Sequence, residues 1–263
     1  MQRTKIPYCT HTWNPIAMRC TPVSRGCDHC WHQAMARRHA ANPYLRQCLR
    51  EARKERAEPQ LIRSELGAPS RLRKPAVIAV QFMGDLFHGR VAGSDINEVW
   101  MHAFNDARHR FLFLTKRAHN ALAWTKRAAS AKAWPKGDIW PDWTWLGVSV
   151  EDQESAEERI PILLQIPAAR RWVSVEPMLG PVDIEIPWGQ GVGDLAADST
   201  LRSSHLDWVV CGAESGPKAR PMDPQWARDL RDQCKAAGVP FFFKQMSGRQ
   251  PIPEDLLIRE SPW

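Results

Sequence analysis

The chain has 263 residues, 43% of them hydrophobic and 25% charged, with a formal net charge of +7 and an isoelectric point near 9.2. That length supplies core enough for one large domain, and no run approaches ~18 consecutive apolar residues, so no membrane-spanning helix is expected. The opening stretch MQRTKIPYCTHTWNP has no apolar leader core, which predicts a chain that stays inside the cell, where seven cysteines suit metal binding or reactive thiols better than disulfides.

In chain order, the first unusual feature is RCTPVSRGCDHCWHQAMARR, which places Cys20, Cys27 and Cys30 within eleven positions. Residues 46–75 follow with nine Arg or Lys against four Glu, a basic helical insertion facing a polyanion or simply a solvated helix and linker. AVIAVQFM (76–83) reads as a buried strand bounded by Pro75 and Gly84. Ser94 is placed to cap a helix with Ile96, Val99, Trp100, Ala103, Phe104 and Ala107 on one face. RFLFLTK (110–116) is a strand and HNALAWTKRAASAKAW a helix. TWLGVSVE (144–151) is a strand, followed by a helix in which Ser155 and Glu158 fit a capping box. RRWVSVEPML (170–179) and LDWVVCGAESG (206–216) are further strands. Asp223–Pro224 opens a helix that Gly238 closes, with Trp226, Leu230 and Cys234 on one face, and PFFFKQ (240–245) is the last strand.

Strands that are apolar throughout, alternating with helices, predict a parallel sheet covered by helices. Six strands in succession end in polar residues: Asp85, Thr115–Lys116, Ser149–Glu151, Glu176, Glu214–Ser215 and Lys244–Gln245. In a parallel barrel those C-terminal ends share one face, where active sites are built. Most of the thirteen tryptophans belong to the core, leaving a few to stack on bases.

The cysteine cluster leaves two metal readings open. A structural zinc site needs four ligands, with Cys9, His11, His29 or His32 as the fourth. Three thiolates holding an iron–sulfur cluster leave one iron free for a substrate or cofactor. The loop GAESGPKARPM (212–222) offers Glu214, Ser215, Lys218 and Arg220 to an anionic substrate, and Cys211 beside it is either a hydrogen-atom donor or a small core residue.

The stretches TWNPIAMRCTPVSRGCDHCW, MGDLFH, FLFLTKR, GVSVED, WVSVEPMLGPVD and CGAESGPKARPMDPQWARDLRDQCKAAGVPFFFKQ together resemble the phage Gp37/Gp68-type family, itself similar to radical S-adenosylmethionine (SAM) enzymes of the spore photoproduct lyase kind. The resemblance runs through nearly the whole chain, apart from the insertion at 40–75 and the stretch 187–205. It implies an α/β fold, a partial TIM-like (β/α)6 barrel forming one domain over 1–263 with that helical basic insertion. It also implies a [4Fe-4S] cluster on Cys20, Cys27 and Cys30. The sequence departs from the usual pattern in having six residues rather than three between its first two cysteines, and His29 at an often aromatic position.

Carried over by position, the resemblance puts Met83, Gly84 and Asp85 at the SAM amino group, His29 and Trp31 near the cofactor, and Lys116, Ser149, Glu151 and Glu176 at its carboxylate or ribose. Cys211 and Glu214 become catalytic candidates. Ser215, Lys218, Arg220, Lys244 and Gln245 become substrate-binding candidates. The implied chemistry is reductive cleavage of SAM to a 5′-deoxyadenosyl radical that acts on a thymine-type base of DNA or a nucleotide. A cytoplasmic monomer in a phage or bacterial host, supplied by an external electron donor, completes the expectation. The alternatives are a zinc-stabilised DNA-binding module without catalysis, and a radical SAM enzyme acting on a small metabolite or peptide.

Overall fold

The computed structural model describes residues 1–32, 58–131, 139–184, 205–216 and 218–263. The first half of the expected 40–75 insertion (40–57) and all but the last residue of 187–205 lie outside these. Its centre is an eight-stranded sheet of β1 (Gln2–Arg3), β2 (His11–Trp13), β5 (Val77–Val80), β6 (Arg110–Thr115), β7 (Thr144–Val150), β8 (Arg171–Val175), β9 (Trp208–Cys211) and β10 (Phe241–Phe243), in that spatial order. Only the edge pair β1–β2 is antiparallel; β2 through β10 run parallel, each beside its predecessor in the sheet. A small ladder of β3 (Ile16–Ala17) with β4 (Gln60–Leu61) brings the described end of the predicted insertion against the segment leading to the cysteines.

Helices α1 (Arg63–Leu66), α2 (Gly93–Phe104), α3 (Ala118–Ser130), α4 (Gln153–Leu164) and α5 (Pro224–Ala237) complete the regular structure among the described residues. Alternate strand residues divide between two apolar clusters, as a period of two requires. Ile78, Phe111, Val148, Val173, Val209 and Phe241 pack with the helices. Ala79, Leu112, Trp145, Trp172, Trp208 and Phe242 form a second cluster on the other face, closed by Tyr8 and Cys9. Burial on both faces explains why these strands read as unbroken apolar runs. Gly147 makes room for this packing, since a Cβ there would sit 2.5 Å from the Trp172 indole nitrogen.

Local chemistry corrects two helix starts. Ala92, not Ser94, stands at the N-cap of α2 and makes no side-chain capping bond. The capping box of α4 joins Asp152 to Ser155 rather than Ser155 to Glu158. Asp223, Pro224 and a left-handed Gly238 (φ 68°) bound α5 as expected. No helix among the described residues is long and apolar enough to cross a membrane.

Candidate functional site

The cysteine loop lies across the C-terminal ends of β5, β6, β7 and β9, and its position is built from below. Gln81, left-handed at φ 55°, receives the Ile16 amide on Oε1 (2.9 Å) and donates Nε2 to the Ile16 carbonyl (2.8 Å), fastening the approach to the loop. Gly84, at φ 137°, is glycine for a spatial reason as well, because a Cβ there would stand 2.7 Å from Met18 Sδ. The Met83 amide donates to Asn14 (2.8 Å). The Met83-Gly84-Asp85 element therefore braces the cysteine-bearing segment.

Asp85 is 3% exposed, and its carboxylate already accepts from Thr115 Oγ1 (2.8 Å), the Phe87 amide (3.0 Å), the Lys116 amide (3.3 Å) and Arg117 Nη1 (2.8 Å). These four protein donors occupy the acceptor sites that the sequence reading assigned to a ligand ammonium. The sequence reading missed Arg117. Its Nη1 also reaches Cys20 Sγ at 3.8 Å, and its Nη2 donates to the Thr21 carbonyl and hydroxyl.

Lys116 is the electrostatic centre of the site. Its ammonium pairs with Glu151, donates to Ser24 Oγ (3.3 Å), and lies in the electrostatic field of Cys20, Cys27 and Cys30 alike. Burial pulls its pKa from 10.5 down to about 8, Arg159 pushing the same way and the three thiols opposing. Glu151, 1% exposed, also accepts from Ser24 Oγ (2.8 Å) and Arg159 Nη1 (3.1 Å). Ser149 is tied to the Glu176 carbonyl at 3.2 Å.

The cysteines divide by environment. Cys20, Cys27 and Cys30 are partly exposed, while Cys9, Cys211 and Cys234 are buried. Burial raises the Cys27 pKa, but backbone hydrogen bonds at Val23 and Ser24, the Lys116 charge and the Ser24 hydroxyl together bring it below 9.0. Burial lifts Cys20 to about 11, with Asp85 adding and Arg117 subtracting. Burial pushes Cys9 and Cys234 up to about 12 and raises Cys211 well above its ordinary value. A metal takes cysteine as thiolate, and partial exposure of the loop cysteines with the lowered pKa of Cys27 makes them candidate ligands. Among the described residues no group of three or more His, Cys, Asp or Glu already stands at metal-holding distances, so the loop thiols would have to draw together around a cluster.

Cys211, a catalytic candidate from the sequence, is 0% exposed on the helix-covered face, with its Sγ 3.5 Å from Met178 Sδ. Arg220, expected to hold substrate phosphate, is instead spent on Glu214, Asp28 and the Arg25 carbonyl. Glu214 also takes His29 Nδ1 at 2.9 Å; burial raises its pKa, and the Arg220 and His29 hydrogen bonds outweigh that to hold it below 4.5. Gln245 binds the Ala213 carbonyl (2.7 Å) and so braces the same loop. Ser215 is half-buried and Lys218 exposed. Trp31, beside the third cysteine, is 44% exposed.

Glu176 and Lys244 form a second polar group, paired at 2.6 Å, with Tyr8 Oη (3.1 Å) and Ser174 Oγ (3.0 Å) donating to the same carboxylate. Tyr8 sits far away in sequence and carries no motif, so only the fold reveals it.

Fold and site together define an α/β protein with a mostly parallel sheet and a three-cysteine loop laid over the strand ends. Residues 3–254 match the family described as Protein of unknown function (DUF5131), and the chain belongs to that family. Comparison with curated proteins and with solved structures yields no significant match.

Proposed function

We propose that this chain is a radical SAM enzyme with a partial TIM-like barrel, in which Cys20, Cys27 and Cys30 hold a [4Fe-4S] cluster. The observation that carries the reading is the separation of the described cysteines: three partly exposed thiols share one loop, in which Ser24 meets the Lys116 ammonium, while three others are buried. When bound, the cluster would supply the electron that cleaves SAM and yields a carbon-centred radical.

The residues of the chain have definite tasks in this scheme. Lys116 lends positive charge to the three thiolates, and Glu151 with Ser24 fixes its position. Arg117 supports Cys20 directly. Glu176 and Lys244, half-buried with the Lys244 ammonium 5.5 Å from the Tyr8 ring centroid, offer an acceptor and a donor to SAM or substrate. The substrate in this reading is a thymine-type base of DNA or a nucleotide, supported by the net charge of +7 and the exposed Lys218.

The zinc reading has one observation of its own: His32 Nδ1 is buried and makes no hydrogen bond, two residues beyond Cys30. It leaves the polar strand ends without a purpose. The test is anaerobic incubation of the full chain with SAM, a reductant and DNA, followed by mass spectrometry of the nucleosides. Formation of 5′-deoxyadenosine with a mass-shifted pyrimidine nucleoside is expected. 5′-Deoxyadenosine without any change in the DNA nucleosides would move the substrate to a small metabolite or peptide, and no SAM cleavage would sink the enzyme reading.

A further inference from the structure

The cysteine loop has six residues between Cys20 and Cys27, an interval long enough to leave the two thiols independent of each other. Two arginines remove that slack, one at each end. Arg117 is gripped by Asp85 (2.8 Å) and donates its second nitrogen to the main-chain carbonyl of Thr21 (2.8 Å). Arg220 is gripped by Glu214 and donates to the main-chain carbonyl of Arg25 (2.8 Å), with Asp28 at 3.3 Å. Glu214 adds His29, between the second and third cysteines, at 2.9 Å.

The two devices have the same construction. Each begins with a carboxylate at a strand end, with side-chain exposure of 5% for Asp85 and 6% for Glu214. Each carboxylate orients a guanidinium, and each guanidinium donates to a loop carbonyl, that of Arg25 being shared with the Asp28 amide (3.2 Å). The planar fork of arginine makes both contacts at once, which a lysine ammonium on its flexible stem does poorly. The anchors rest on the rigid sheet, one after β5 and β6 and the other after β9, so the loop is stretched between two fixed points.

We propose that Arg117 and Arg220 are positioning residues that pre-organise the three-cysteine loop before any metal or cluster binds. What the loop holds rests on the radical SAM reading; its order in the metal-free chain does not. Pre-organisation matters for loading, because a loop already in place loses less conformational freedom on binding. It also accommodates the six-residue interval, since the clamps, and not the spacing alone, set where Cys20 stands relative to Cys27 and Cys30.

The test is iodoacetamide alkylation of the full chain, stripped of metal by chelation and kept reduced, with each cysteine followed by peptide mass spectrometry. Arg117→Met should speed alkylation of Cys20 by about tenfold, the loss of a charged hydrogen bond, and leave Cys27 and Cys30 near wild type. Arg220→Met should do the reverse. Removing a guanidinium by itself disfavours the thiolate and would slow the reaction, so acceleration at Cys20 reports a loosened loop. Arg117→Met leaves the Asp85 carboxylate buried and unpaired, so the double variant Asp85→Asn, Arg117→Met repeats the test without that charge. Arg→Lys at either position should restore less than half of the protection. Unchanged rates at all three loop cysteines would overturn the proposal, as would equal acceleration at buried Cys9, which marks general loosening. Iron content of the wild-type chain is measured in parallel: its absence would count against the cluster, while the clamp is judged by the alkylation pattern alone.

Discussion

Gly26 sits between the first two cysteines with the loop backbone pressed against the Lys116–Glu151 pair, and adding one methyl group there probes the site from the inside. A Cβ at this position would lie 2.5 Å from Glu151 Cγ, 2.6 Å from Glu151 Oε1 and 2.8 Å from Lys116 Nζ. Carbon atoms pack at about 3.5–4.0 Å, so Gly26→Ala requires a retreat of roughly 1 Å by one side. Glu151 is poorly able to give way, because Arg159, Ser24 and Lys116 all hold it. Overpacking of this kind costs about 1–3 kcal/mol, and a lost charged hydrogen bond adds about 1.5–3 kcal/mol. The expected loss is therefore about 2.5–6 kcal/mol, or a fall in melting temperature of roughly 5–25 °C. Thermal and urea unfolding by circular dichroism give this number, and iron content after anaerobic reconstitution gives the consequence for the loop. Gly216→Ala is the control, since a Cβ there meets nothing within 4 Å. A change below about 0.5 kcal/mol with full iron content would refute the reasoning.

Two further outcomes follow from burial. Cys211→Ala should lower stability by about 1–2 kcal/mol through the small cavity it leaves and should retain iron and SAM cleavage; loss of cleavage in a stable variant would restore Cys211 to the chemistry. His32 and His88 both have pKa values pushed below 6.5, by burial first and, for His88, by Arg117 and Arg90 next. Their folded pKa lies below the unfolded one, so the stability they contribute is present above pH 6.5 and is lost as pH falls through that value towards the folded pKa. The urea midpoint should be lower at about pH 5.5 than at about pH 7.5, and an equal or higher midpoint at the acid value contradicts this.

The sequence made the parallel architecture readable because each strand is buried on both faces, which writes continuous apolar runs into β5 to β10. Among the strand-end residues it singled out, Lys116, Glu151 and Glu214 contact the cysteine loop directly and Asp85 does so through Arg117. Their partners were beyond reach. Asp85 looked like an open acceptor because Arg117 and Thr115, some thirty positions away, had no local signature. Arg220 looked free for phosphate because nothing in GAESGPKARPM announces that it crosses to Arg25 and Asp28. Strands β1 to β4 have two or three residues each, too short for any period to register. Cys211 was ambiguous until β9 fixed its phase, placing it with Val209 on the helix side and Trp208 and Val210 opposite.

In the proposed reading Cys20, Cys27 and Cys30 alone hold an iron–sulfur cluster. Its most direct test is the metal and acid-labile sulfide content of anaerobically purified wild type and of the Cys20→Ala, Cys27→Ala, Cys30→Ala and Cys9→Ala variants. The account predicts about four iron and four sulfide per wild-type chain, loss of both in each of the first three variants, and wild-type content in Cys9→Ala. One zinc per chain without sulfide, or an equal loss of iron in Cys9→Ala, would contradict it.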